Sequence, residues 1–246
     1  MSSRAALATV ATGDALLALA RRHIGEKYVF GVLVPKDNPN WTGPWDCAEF
    51  ASWLTFQVAR KLYGCSSNSC MPGIADAFSG FWQRDAGATA HRVSIRQAAQ
   101  TPGAFILRSP QAGAIGHIVV SDGRGGTVEA HSAKDGVIAS TLAGRRWELG
   151  ILVPEIQYSA GGDIRVAAPK QKIYRLTSLF MQGPAVRLIQ QQLRAAGFDP
   201  GPIDGVFGPH TQAAVVAFQL AKGLVPDGEV GPVTARALGI KAASKK

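Results

Sequence analysis

A chain of 246 residues, 46% of them apolar, is long enough for one large domain or for two smaller ones with separate cores. No stretch approaches the ~20 consecutive apolar residues of a membrane-spanning helix. The formal charge of +9 is uneven, with 15 Lys/Arg against 13 Asp/Glu in residues 1–163 and 11 against 4 in 164–246. The basic last third favours an anionic polymer as partner, and no zinc-finger spacing or aromatic-basic signature argues for nucleic acid.

The first residues, MSSRAALATVATGDALLALARRH, are Ala/Thr-rich and interrupted by Gly13-Asp14, so the apolar core of a Sec-type signal is missing. A helix is predicted over 15–24. After Tyr28-Val-Phe-Gly31, residues 35–44 are too rich in Pro, Asn and Gly for regular structure. Residues 48–63 then show apolar positions at helical spacing without Pro or Gly and predict a long buried helix. Asp46 suits its N-cap, which places Cys47 in the first turn, where amide N–H groups and the helix dipole favour a thiolate. A cysteine so placed is a candidate nucleophile; a small core residue is the competing reading. Cys65 and Cys70 flank Ser-Ser-Asn-Ser and would either close a short disulfide or remain as two thiols, leaving Cys47 unpaired in both cases.

Further helical pieces are expected over 74–86 and within 91–100. From Gly103 the pattern turns to strands: 104–107, a turn at 110–113, and then 116–121 and 127–131 joined through Asp122-Gly123 as a hairpin. Residues 136–139 and 149–153 would continue the sheet as a meander. Helices followed by a meander indicate an α+β domain. His117 begins the first hairpin strand, while Glu129 and His131 lie two apart on the second and would share a face. A histidine on the sheet beside a helix N-terminus bearing Cys47 would make a Cys–His pair. The alternatives are surface histidines or a zinc site, and the His117 to His131 spacing matches no common ligand motif.

Tyr28-Val-Phe-Gly31, Asp46-Cys47 and Gly116-His117-Ile-Val-Val, followed by the hairpin, together resemble the NlpC-type cysteine peptidases of bacterial cell walls over roughly 13–155. The resemblance implies a papain-like α+β fold and cleavage of amide bonds in peptidoglycan stem peptides, commonly between D-glutamate and the diamino acid. It also implies Cys47 as nucleophile, His117 as base, and Tyr28, with Asp46 nearby, assisting substrate or oxyanion contacts. The family's third residue is usually a histidine after the hairpin. Counting from His117 reaches Glu129, whereas residue type favours His131, so both stay as candidates.

Residues 154–171 read as a linker. Beyond it, Asp204-Gly-Val-Phe-Gly-Pro-His-Thr211 recurs as Asp227-Gly-Glu-Val-Gly-Pro-Val-Thr234. Each copy reads as an Asp-Gly turn and a Pro at a helix start. Helices are predicted over 185–196 and 211–222, with a third beginning at 234. The run resembles the small three-helix peptidoglycan-binding domain found beside wall hydrolases, which implies a shallow groove near Asp204, Phe207 and Thr211, although Phe207 equally suits a core.

The sequence therefore predicts a peptidase domain at 1–155, a linker at 156–171, and a small all-α wall-binding domain with a basic tail at 172–246. Expected is a peptidoglycan endopeptidase using Cys–His catalysis, with no metal or cofactor, no nucleic acid and no membrane insertion. The alternatives are an inactive wall-binding protein, or the same fold acting as an amidase or transpeptidase. Without a Sec signal, delivery to the periplasm or wall would be by phage lysis, as an endolysin served by a holin, or by a secretion machine, as an effector with an immunity protein.

Overall fold

The computed structural model describes residues 10–88, 92–111, 113–159 and 173–240. Helix α1 (Gly13–Arg22) opens where the Thr12 hydroxyl accepts from the Ala15 N–H at 3.1 Å, and buries Leu16, Leu17 and Ala20. Asp14 in its first turn and Arg21 and Arg22 in its last suit the helix dipole. Helix α2 (Cys47–Ala59) is capped by Asp46, whose carboxylate accepts from the Ala48 N–H at 2.9 Å. Every residue from Cys47 through Thr55 is buried, as expected of a helix at the centre of a core.

Helix α2 stops short of the predicted end at 63 because Arg60 takes a left-handed conformation, φ 55°. The turn returns Leu62 and Tyr63 to the interior, where the Ser52 hydroxyl donates to the Tyr63 carbonyl at 2.6 Å. Glu49, one turn into α2, is 1% exposed and accepts from the N–H groups of Val34 (2.8 Å) and Ala77 (2.6 Å) and from the Lys36 ammonium. This buried carboxylate orders both irregular segments beside the helix. It also explains why the predicted helix over 74–86 divides into a 3-10 turn at Pro72–Ile74 and α3 (Ser79–Ala88). The Ala77 N–H is committed to Glu49 and the Ala75 carbonyl to Lys36, so neither is free to continue a helix.

The sheet comprises β1 (Arg92–Val93), β2 (Phe105–Arg108), β3 (His117–Ser121), β4 (Gly126–Ser132), β5 (Gly136–Thr141) and β6 (Leu149–Ile151). The order is β1-β6-β2-β3-β4-β5 with every pairing antiparallel, which confirms the α+β class. The meander runs from β2 to β5 only. β6 crosses back to pair with β2, whose residues are all buried and whose outer backbone edge would otherwise lack partners. Alternate residues face opposite ways: Phe105, Leu107, Ile118 and Val120 join the core under α1 and α2, while Ile106 and Val119 meet Ala98 and Ala99 of α4 (Ile95–Ala99).

Residues 154–159 are not extended chain. Ile156 is 4% exposed, and Gln157 bridges back to Thr12. The rest of the expected linker, residues 160–171, lies outside the described residues, as do the first nine residues, residue 91 and the basic tail from 241 onward.

The last part is helical, with α5 (Pro184–Ala195), α6 (Pro209–Ala221) and α7 (Pro232–Ala237), each with proline at its first position. Its core gathers Val186, Ile189, Leu193, Phe207, Val215 and Phe218. The sequence repeat has a structural cause. Gln190 donates to Asp204 (2.9 Å), the Val206 carbonyl (3.1 Å) and Thr211 (3.2 Å), and accepts from the Gly205 N–H (2.8 Å). Gln219 repeats the pattern with Asp227, the Glu229 carbonyl, Thr234 and the Gly228 N–H. Glycine is required in both turns, at φ 81° for Gly205 and 68° for Gly228.

Candidate functional site

Cys47 and His117 come from α2 and the first residue of β3, two elements packed together. β3 pairs with β4 only at Val120 and Ser121, so the beginning of β3 has no backbone ladder on that side. Side chains bridge the gap instead: His117 Nε2 lies 2.7 Å from Glu129 Oε2, with the two residues 1% and 0% exposed. Gly116 is needed before this histidine. A Cβ there would sit 2.5 Å from the Ser79 hydroxyl and 2.7 Å from the Arg108 carbonyl.

Glu129 is held from three directions. Besides His117, it accepts from Thr127 at 2.6 Å and from both terminal nitrogens of Arg145, at 2.6 and 2.8 Å. The guanidinium and these hydrogen bonds hold its carboxyl well below the usual range despite burial. Burial drives the His117 pKa down to about 4, against the opposing pull of Glu129. That direction follows from the local charges: Arg145 already balances Glu129, so protonating His117 would leave a buried surplus cation. Glu129 is thus the carboxylate that holds the His117 ring, through Nε2.

Glu129 and His131 both lie beside His117, but Glu129 is the one that bonds it; at His131 the β4–β5 register shifts, between Ala130 and Ser132. His131 lies in the shifted segment and turns to Asp135 (3.0 Å) and Ser132 (3.2 Å), with its ring 6.2 Å from that of His117.

The expected thiolate-favouring setting of Cys47 is corrected. The residue is 6% exposed, and burial pushes the thiol well above its ordinary value, with the Asp46 carboxylate pushing the same way. The backbone N–H groups of Ile118 and Ala48 and the charge of Arg108 oppose this without overcoming it. The helix dipole is therefore outweighed by desolvation, and the resting pair is a neutral thiol with a neutral imidazole. The thiol makes no hydrogen bond to either ring nitrogen; it is the amide of the residue after His117 that acts on it. Tyr28 is brought in through its backbone bridge to Trp45. Burial first, and then the charges of Cys47 and Asp46, raise its phenol, keeping the hydroxyl a donor. Asp46, besides capping α2, accepts from the Gly31 N–H at 3.2 Å.

Sequence reasoning missed Arg145 and Arg108. The doubled arginine before Trp147 was the available signal, but nothing local ties it to a carboxylate sixteen positions earlier. In the helical part, Phe207 takes the core place that the sequence also allowed and is fully buried, while Thr211, expected near the groove, is 1% exposed and bonded to Gln190. Asp204 is exposed but committed to Gln190 and the Val206 N–H. The open apolar surface of this part runs instead along α6, through Pro209, Ala213, Val216 and Leu220, beside Leu176. Cys65 and Cys70 are free thiols, near the Tyr63 and Ser67 carbonyls respectively. Among the described residues no group of three His, Cys, Asp or Glu is placed to hold a metal, and no helix is long and apolar enough to cross a membrane.

Comparison with known proteins assigns the helical part: residues 182–238 match the family model described as "Putative peptidoglycan binding domain". The zinc D-Ala-D-Ala carboxypeptidase of Streptomyces albus G is 54% identical over 57 residues, covering 21% of this chain and 21% of that protein. The N-acetylmuramoyl-L-alanine amidase CwlL of Bacillus licheniformis is 44% identical over 68 residues, covering 25% of this chain and 19% of that protein. The chain thus spans about a fifth of the length of these curated relatives. Among solved structures, the NlpC/p60 domain of the peptidoglycan hydrolase SagA aligns with a TM-score of 0.41 and 19% identity, over 58% of this chain and 99% of that one.

Proposed function

We propose that the protein is a peptidoglycan hydrolase that cleaves stem-peptide amide bonds by cysteine nucleophilic catalysis, with residues 182–238 holding it to the wall. The observation that carries the reading is the buried His117–Glu129 pair, oriented by Arg145, at the β3 terminus against which the Cys47 end of α2 packs. The wall-binding match and the wall enzymes named among its relatives point to the same polymer.

The proton states define the order of events. Neutral His117 takes the Cys47 proton as sulfur attacks the carbonyl, so ionisation and bond formation are coupled. The developing oxyanion is met by backbone N–H groups near the start of α2, with the neutral Tyr28 hydroxyl as a further donor. The imidazolium, stabilised by Glu129, gives its proton to the leaving amine, and a thioester remains. Water, activated by the again-neutral His117, releases the carboxylic acid and regenerates the thiol.

The D-Glu–diamino acid bond is the scissile bond suggested by the resemblance. The decisive experiment digests purified peptidoglycan with the wild-type protein and with Cys47→Ala, then identifies new ends by mass spectrometry. Loss of digestion in the variant is expected, with new amino termini at the diamino acid. Equal digestion by both proteins would refute the mechanism, and ends at muramic acid would make the protein an amidase.

A further inference from the structure

The Arg145 guanidinium that forks onto Glu129 has a second contact, with its Cζ 4.6 Å from the centre of the Trp147 ring. Trp147 is half-buried on the irregular chain between β5 and β6, and its ring lies 6.3 Å from that of His117, tilted by 35°. The indole is itself fixed at two points. Its Nε1–H donates to the Leu142 carbonyl at 3.2 Å, and it packs against the apolar layer that includes Leu142, Ile106 and Val119. Trp147 therefore borders both the arginine that balances Glu129 and the imidazole that Glu129 holds.

Arg145 needs such a guide because other carboxylates compete for it. It lines a cavity shared with Asp227 and Glu229 of the helical part, and Glu148 follows three residues on. A long arginine side chain loses rotamer freedom with any one of these partners, and nothing in the connectivity favours Glu129. An aromatic face attracts a guanidinium stacked on it and fixes its plane, and a fixed plane aims the two terminal nitrogens at one carboxylate. The charges around His117 make that aim matter. Glu129 and His131 face the ring from β4, Arg108 from β2 and Arg145 from the 142–148 segment, while Cys47 sits on the α2 end packed against β3. Were Arg145 to swing away, buried Glu129 would draw a proton onto His117 at rest, and the ring could not then take one from the thiol.

The geometry points to Trp147 as a positioning residue that keeps His117 free to accept a proton, by holding the edge of the Arg145 guanidinium on Glu129. The role of His117 as base rests on the hydrolase reading; the arrangement of the four side chains does not.

The test records NMR spectra of the histidine ring nitrogens in the full-length protein at a pH between about 4 and 6.5, with the His117 signals identified by their loss in His117→Gln. The wild-type ring should be neutral with its proton on Nε2, since the partner there is an ionised carboxylate. In Trp147→Leu, which keeps apolar bulk without an aromatic face, the proton affinity of the ring should rise about 10-fold or more, which is one pKa unit or more. Trp147→Phe restores a face and should return most of the wild-type state. Arg145→Gln should give the same rise as Trp147→Leu, and the two together no more than either, because one acts through the other. A merely structural tryptophan would leave the ring neutral when replaced, or add its effect to that of Arg145→Gln; either result overturns the assignment. In the wild-type chain the Arg145 guanidinium signals should be displaced by the indole ring current, and undisplaced signals overturn it whether or not a variant folds. Turnover of a soluble stem peptide separates the two ideas. A shifted ring in a protein that cleaves nothing keeps the positioning role and removes the hydrolase; cleavage by a Trp147→Leu protein whose ring stays neutral does the reverse.

Discussion

Arg145 decides what His117 can be. By neutralising Glu129 through two hydrogen bonds, it removes the electrostatic reason for a resting imidazolium and leaves desolvation to keep the ring neutral. The acid limb of kcat/KM should therefore fall near pH 4 rather than 6.5, measurable on a soluble stem peptide. Stability should follow. Above pH 6.5 the ring is neutral in both folded and unfolded chains, but between 6.5 and about 4 only the unfolded chain gains the proton. Thermal melts should thus show Tm falling as pH drops through that window, with a shallower fall in His117→Gln. Glu129→Gln removes the group that stabilises the transient imidazolium and should lower kcat about 10²–10⁴-fold, with circular dichroism confirming a retained fold.

Between elements, the site depends on close approach of backbones rather than on side-chain bulk. Gly116 lets β3 begin against the Arg108 carbonyl and Ser79, and Gly116→Ala forces His117 out of line. It should cost about 1–3 kcal/mol in chemical denaturation, the usual penalty of overpacking, and reduce activity beyond what that loss explains. The helical part has its own version of this constraint in the two glutamine clamps. Gln190→Ala would leave the Gly205 N–H and Thr211 short of partners, and a loss of about 1–3 kcal/mol is expected in thermal unfolding. The repeated Asp-Gly…Thr signature is thus a device for burying an amide.

Across the whole molecule, the two parts meet through charges that the repeat itself varies. Where the first turn has Val206, the second has Glu229, which pairs with Arg146; Asp227 reaches Arg108, and the Lys134 N–H donates to the Gly223 carbonyl at 3.2 Å. A double-mutant cycle on Arg146 and Glu229, read by thermal unfolding, should give a coupling of about 1–3 kcal/mol, since both partners are largely buried. A coupling near zero would mean that the two parts unfold independently of this contact. Such an interface sets the helical part against Arg108, at the end of β2, and Arg146 rather than at the end of a tether.

The sequence by itself determined the class of fold, most helix and strand positions, and the capped helix start at Cys47. These rest on local rules of periodicity, capping and turn chemistry that nearby residues suffice to express. It left open which of Glu129 and His131 bonds His117, left Phe207 between groove and core, and expected Thr211 near the groove. Only the tertiary structure decided these, because a β-bulge, a buried glutamine and a distant arginine act through space and leave no periodic trace. The proton state of Cys47 belongs to the same group. The dipole that favours a thiolate is visible in one helix, whereas the desolvation that outweighs it comes from everything packed around that helix.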